Sequence, residues 1–213
     1  MKYYPAYLDL RGRPCTVLGG GEDAEHNAIS LLEAGADVIV ISTTLTPKLL
    51  ELSNSGKITH LEKNYEEQDL CSSFLVIAAT DSHEANSSAA RVCKTRHVLV
   101  HVDRPPDESS FIIPAVVDHG ELLISVFAGG AGLELAEKIR KDLDKQYGSE
   151  YDHYLGRLMA LHKRMLEEVL DENARREIFQ AIAESDVIDL LRQGRMHEAE
   201  FRMAQIAGLK HRS

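Results

Sequence analysis

The chain is predicted to fold as an α/β protein with a purely helical C-terminal part, and three observations carry that prediction. First, the apolar strand Cys15–Leu18 runs into Gly19-Gly20-Gly21-Glu22-Asp23-Ala24, a helix-patterned stretch through Glu33, and a second apolar strand, Val38–Ile41. Strand, glycine turn, helix and strand within about thirty residues is the context that a dinucleotide-binding turn requires. Second, Phe74–Ala79 is continuously apolar, as a parallel strand covered on both faces is. Third, no strand pattern follows Tyr151, and Tyr154, Leu155, Leu158, Leu161, Met165 and Val169 recur at helical spacing. The expected organisation is a Rossmann-type parallel sheet over 1–113, a mixed connector over 114–147, and a helical domain over 148–213.

Taken in order, Tyr3–Leu10 reads as a short strand or arm, and Arg11-Gly12-Arg13-Pro14 turns into the first strand. Ala24, Ala28, Leu31 and Leu32 form the buried stripe of the first helix. Thr46-Pro47 begins a helix through Leu52, because proline suits a first helical turn. Ile58–Leu61 is a short third strand, and Tyr65–Leu70 a polar connection. Thr80-Asp81 ends the Phe74–Ala79 strand, Ala85–Arg96 is a helix, and Val98–Val102 is a buried strand ending at Asp103. Phe111–Asp118 and Leu122–Phe127 read as a hairpin-like pair around His119-Gly120-Glu121. Gly129-Gly130-Ala131-Gly132 opens a helix striped by Leu133, Ala136, Ile139 and Leu143, and two or three shorter helices end near Ala207.

Composition excludes several classes. Hydrophobic content of 44% and charged content of 27% over 213 residues match a soluble globular protein of one ordinary domain and an appendage. No run approaches the roughly eighteen apolar residues of a membrane span, and Met1–Pro5 lacks the apolar region of a secretion signal. The net charge of −10, nearly all in the first 150 residues, argues against nucleic-acid binding. Cys15, Cys71 and Cys93 read as buried thiols of a reducing cytoplasm, being odd in number and set in apolar or helical patterns.

The candidate chemistry converges on the carboxyl ends of the parallel strands. Gly19 turns the chain sharply, Gly20 continues the turn, and Gly21 leaves the helix N-terminus open to a pyrophosphate. Ala24 takes the third small position, where helix and strand pack closely. Glu22 and Asp23 border this turn, Ser42, Thr43 and Thr44 follow the second strand, and Ala79 and Thr80 end the fourth. Ser42–Thr44 can contact a cofactor or simply cap the helix at Pro47. The second strand carries neither an acid for an NAD ribose nor an arginine for a 2′-phosphate, so chemistry alone leaves NAD and NADP open. Asp103 is the candidate acid–base residue, with a turn-capping role before Pro105-Pro106 as its alternative. His101 shares its strand face. Asp107, Asp118 and His119 are further polar candidates, the latter two best read as a turn. Gly129–Gly132 before a helix offers a second anion site by the same argument, but without strand–turn–helix–strand context of its own it reads first as a structural turn.

These residues resemble the precorrin-2 dehydrogenase family, which also forms the N-terminal part of multifunctional sirohaem synthases. The resemblance rests on Tyr4–Arg13, Leu18-Gly19-Gly20-Gly21, Leu31–Ala36, Val76–Asp81, Phe111–Asp118 and Gly129-Gly130, and spans about residues 1–147. It implies NAD-dependent oxidation of precorrin-2 to sirohydrochlorin in sirohaem biosynthesis, a cytoplasmic homodimer with 114–147 as its dimerisation region, NAD contacts at Glu22-Asp23 and Thr43-Thr44, and Asp103 as the critical acid–base residue. Some members also insert ferrous iron into sirohydrochlorin; no metal ligand is assigned here. Val100-His101-Val102-Asp103 departs from the family's V-N-x-x-D, reaching the acid one residue early, and Ala131-Gly132 replaces Ser-Pro. Arg104, Lys138, Arg140 and Lys141 are the nearest candidates for the substrate's carboxylates. Two alternatives stand beside this reading: a bifunctional dehydrogenase and ferrochelatase, and a non-catalytic dimeric NAD-sensing module.

Overall fold

The computed structural model describes residues 3–130, 132–168 and 171–208. They form two compact units, Met1–Ile113 and Pro114–Ser213.

The first unit is a five-stranded parallel sheet built as expected from alternating strands and helices. Its elements are β1 (Pro14–Leu18), α1 (Glu22–Glu33), β2 (Asp37–Ile41), α2 (Pro47–Asn54), β3 (Thr59–Leu61), β4 (Leu75–Ala78), α3 (His83–Thr95) and β5 (Leu99–Val102). Strand order is β3-β2-β1-β4-β5, so the chain reverses its direction of travel across the sheet between β1 and β4. In register, Leu18 lies beside Ile41 of β2 and Ala78 of β4, which brings three strand ends together where a Rossmann sheet binds its ligand. Both faces are covered. Cys15, Val17, Val38, Val40, Leu75 and Ile77 pack with Ala24, Ala28 and Leu31 of α1 and Leu49 and Leu52 of α2. On the opposite face, Leu18, Val76, Ala78, Val100 and Val102 pack with Ala89, Ala90 and Cys93 of α3. Burying each such Val or Leu side chain is worth roughly 1.5–3 kcal/mol, which is why the strands need no polar face.

Local signals set the helix starts. Thr46 caps α2 by accepting from Leu49 N at 3.2 Å, with Pro47 in the first turn. Ser82 caps α3 by accepting from Ala85 N at 3.2 Å. Tyr3–Leu10, expected as a strand or arm, joins neither sheet among the described residues and is an arm rather than a strand. The connection at 65–70 holds a short 3-10 turn, Glu67–Leu70, that buries Leu70 completely. Burying Leu70 leaves its neighbour Cys71 outside, so the expectation of three buried thiols fails at Cys71.

Cys15 and Cys93 are fully buried, and burial pushes both thiols up to about 11. Only the thiolate reacts. At about pH 8 a thiol-alkylating probe on the native chain should therefore label Cys71 and spare the other two until denaturant is added. Mass mapping of the modified peptides reads the result.

The second unit begins with an antiparallel hairpin, β6 (Ala115–His119) and β7 (Leu122–Val126), packed by α4 (Leu133–Gln146). The hairpin starts at Ala115 rather than Phe111. Ser110, still within the first unit, is spent pairing with β5, and Pro114 has no N–H to offer a ladder. Four helices follow, α5 (Glu150–Glu168), α6 (Glu172–Ala183), α7 (Val187–Arg192) and α8 (Met196–Ile206), around Leu161, Met165, Ile182, Val187 and Met203. Of the expected apolar stripe on α4 only Ala136 is buried, while Leu133 and Ile139 are exposed. Val169 and Ala131 lie outside the described residues.

Candidate functional site

The glycine turn is held by backbone on every side. Gly19, at φ +113°, donates its N–H to Ile41 O at 3.0 Å, and a Cβ there would run into the carbonyl oxygen of Ala79. Gly20 accepts from Thr46 N at 3.0 Å, and its missing Cβ leaves room for the Thr44 carbonyl and, at 2.8 Å, Ser42 Oγ. Gly21 is different: its φ of −84° is ordinary, a Cβ would meet nothing within 4 Å, and it is the N-cap of α1 without a side-chain cap. The first α1 turn therefore presents bare backbone at its positive end, which suits a phosphate. Glu22 and Asp23 in that turn carry the same sign as a phosphate, so any phosphate contact there must come from their backbone N–H groups. Ala24 is fully buried against the sheet, as a third small position should be.

Thr43 and Thr44 are exposed after β2, and Ser42 Oγ accepts from Thr44 N at 3.4 Å. The helix-capping alternative for this trio belongs instead to Thr46. Ala79 donates to Leu18 O at 2.9 Å, tying the ends of β4 and β1. Thr80 is held by a residue that the sequence analysis passed over. Asn86, almost fully buried in α3, accepts from Thr80 N at 3.1 Å and Thr80 Oγ1 at 2.6 Å. Its Nδ2 donates to Thr80 O at 3.0 Å and Arg104 O at 3.3 Å. One amide thus joins the ends of β4 and β5. Its signal was present, since Asn86, Ala89, Ala90 and Cys93 share one helical stripe and only the first is polar. Asn86→Ala should cost about 1–3 kcal/mol by leaving buried backbone groups unpaired, a loss that a urea melt would read.

Beside this clamp lies a cavity of about 90 Å³, lined by Asp23, Ala79, Thr80, Asp81, His83, Asn86, Asp103 and Arg104. It is small beside the roughly 300–1,000 Å³ of a pocket that encloses a whole ligand. Asp103 sits just past β5, where its N–H reaches Ala78 O at 3.2 Å. Its Oδ1 lies 3.2 Å from His101 Nε2, the two side chains being 20% and 15% exposed. Its Oδ2 is buried with no hydrogen-bond partner among the described residues. Arg104, 73% exposed, reaches Asp23 at 3.4 Å. The edge of β5 is closed by serines that the sequence analysis also missed: Ser109 Oγ accepts from Val102 N, and Ser110 Oγ from Val100 N, both at 2.8 Å. They bring Phe111 to His101.

Other candidates fall elsewhere. Asp107 occupies a short 3-10 turn and is absent from the cavity wall. Asp118 Oδ1 accepts from Gly120 N at 3.0 Å, as expected of a turn residue, and His119 lies 3.0 Å from Asp144. Arg140 is gripped by Glu137 at 2.8 and 2.9 Å, which draws the Glu137 carboxyl below its usual range. Among the described residues no group of three or more His, Cys, Asp or Glu could hold a metal, and no helix is long and apolar enough to cross a membrane.

Residues 6–115, half of the chain, match the family model described as "Putative NAD(P)-binding". The chain belongs to this NAD(P)-binding family. The nicotinamide cofactor expected from the glycine turn is the ligand class of that family. Its curated relatives include the "Siroheme synthase" of Nitrosococcus oceani, 33% identical over 94% of this chain and 43% of that protein. The "Siroheme synthase" of Methylococcus capsulatus is 35% identical, over 94% of this chain and 42% of its own length. The chain thus spans less than half the length of these relatives. The solved structure of "SirC, precorrin-2 dehydrogenase" shares the fold, with a TM-score of 0.79 at 24% identity, over 95% of this chain and all of that one. These relatives are the ones that the sequence resemblance anticipated.

Proposed function

We propose that the chain oxidises precorrin-2 to sirohydrochlorin with NAD, as a step of sirohaem biosynthesis. The observation that carries this reading is the cavity in which Asp103, from the end of β5, meets the first turn of α1. The names of the relatives supply the substrate class.

The residues present fit a dinucleotide. Gly19 and Gly20 hold the turn, Gly21 and the backbone of Glu22 and Asp23 face a pyrophosphate, Ser42, Thr43 and Thr44 offer hydroxyls to a ribose, and Ala79 and Thr80 border the cavity. When bound, NAD supplies the hydride-accepting ring. Oxidation of the tetrapyrrole also releases a proton, and Asp103 takes it. Precorrin-2 carries several carboxylates, and Arg104 is the cation at the cavity wall. The enzyme works as a cytoplasmic homodimer, a reading supported by the exposed Val116, Leu133, Leu135 and Ile139 of the second unit and by three free cysteines.

The test is to supply precorrin-2 and NAD to the purified chain and follow NADH absorbance and sirohydrochlorin together. Equal formation of the two is expected. Binding of NAD with no NADH would favour the sensing module instead. Supplying sirohydrochlorin with ferrous ion tests the ferrochelatase alternative, and light scattering during size exclusion tests the dimer.

A further inference from the structure

We infer that Asn86 is a positioning residue for the reaction: by holding the Arg104 carbonyl it fixes where the Asp103 carboxyl stands beside the end of β4. The work given to Asp103 rests on the proposed function; the hold on its backbone rests on geometry.

Asn86 is 1% exposed, and its amide is fully used. Oδ1 accepts from Thr80 N at 3.1 Å and from the Thr80 hydroxyl at 2.6 Å, while Nδ2 donates to Thr80 O at 3.0 Å and to Arg104 O at 3.3 Å. Two acceptor positions and two donor hydrogens are all that an asparagine amide has. An N–H can only donate and a carbonyl can only accept, so these partners fix which end of the amide faces which. The two segments that it joins both line the cavity. On one side, Thr80 follows Ala79, whose carbonyl oxygen closes on Gly19 of the glycine turn. On the other, Arg104 follows Asp103, whose N–H is bonded to Ala78 O at 3.2 Å. The acid is therefore tied to the end of β4 twice, by its own N–H and, one residue later, through Asn86. Ser87, next in α3, donates its hydroxyl to Glu108 Oε1 at 3.0 Å and holds the far end of the same loop. The carboxyl has few holds of its own: Oδ1 stands 3.2 Å from His101 Nε2, and Oδ2 has no hydrogen-bond partner among the described residues. Its position is thus a property of the backbone, and Asn86 is the side chain that sets it. Misplacing a reacting group by about 1 Å can cost about 10²-fold in rate.

Amide hydrogen exchange on the full chain, without substrate, reads the hold directly. In Asn86→Ala the Asp103 amide, which Asn86 does not touch, should lose about tenfold more protection than the Val17 and Val76 amides of the central strands, which report global opening. Kinetics with precorrin-2 and NAD supply the second arm. Asn86→Ala should lower kcat by about 10–10²-fold and leave KM for NAD within about twofold, because the α1 turn does not depend on this amide. In an Asp103→Ala background the same substitution should cost less than about twofold more, since no acid is left to misplace. Asn86→Ser, whose hydroxyl is too short to span both loops but leaves room for a water, repeats both arms should the alanine variant fold poorly. Equal loss of protection at Asp103 and in the central strands overturns the inference. An unchanged kcat overturns it too, as does a fall in kcat that is as large without the Asp103 carboxyl as with it. Selective loss of protection at Asp103 in a chain that forms no NADH would support the hold on the backbone and overturn the proposed reaction.

Discussion

Gly20→Ala should destabilise the first unit, while Gly21→Ala, one residue further on, should leave stability unchanged and weaken NAD binding. The contrast follows from what a methyl group would meet. At position 20 it would drive into the Thr44 carbonyl and lie 2.8 Å from Ser42 Oγ, so the loop after β2 must shift. Thr46 N also bonds Gly20 O at 3.0 Å, and Thr46 caps α2, so the shift would propagate into that helix. Overpacking of this kind costs typically about 1–3 kcal/mol. At position 21 the methyl group would meet no atom within 4 Å, and the backbone there is ordinary for any residue. What it would obstruct is the approach of an anion to the α1 N-terminus. Thermal unfolding separates the two variants by stability, and calorimetric titration with NAD separates them by affinity. A Gly21→Ala chain that binds NAD as tightly as the parent would show that no phosphate rests on this turn.

The same contrast marks where the sequence could be read and where it could not. Strand, turn and helix from Cys15 to Ile41 were legible because each signal is local: an apolar run, three glycines and a helical stripe. Which glycine is packed against what is not local. Gly20 is confined by a loop that starts more than twenty residues later, and sequence reasoning placed close approaches at Gly21 and Ala24 only. Asn86 was missed for a related reason, since a polar residue on an apolar stripe declares itself only once the ends of β4 and β5 are known to lie beside it. Ser109 and Ser110 look like loop residues until β5 proves to be an edge strand whose donors need closing. Phe111–Pro114 looked like the start of a hairpin strand because alternation cannot say which partner a segment will choose. His101 and Asp103 were legible as a pair on one strand face, because a period of two is all that this required.

Asp103→Ala should cost activity without costing stability. Asp103 Oδ2 is buried and unpartnered among the described residues, and such a group opposes folding by about 1–3 kcal/mol. Against that stands a single contact, Oδ1 to His101 at 3.2 Å, on a side chain that is still 20% exposed. Removing the carboxyl therefore takes away a desolvation cost at least as large as the contact that is lost. The variant should melt at the same temperature as the parent or above it. The turnover of precorrin-2 should instead fall by about 10²–10⁴, the usual contribution of a positioned acid–base group. A residue whose only role was to cap the turn before Pro105 would give the reverse, a lower melting temperature with turnover intact. An unpaired carboxylate oxygen beside the glycine turn is what the proposed acid–base role would leave, because folding alone would favour its loss. Parallel melting curves and initial rates on the two chains decide between the roles.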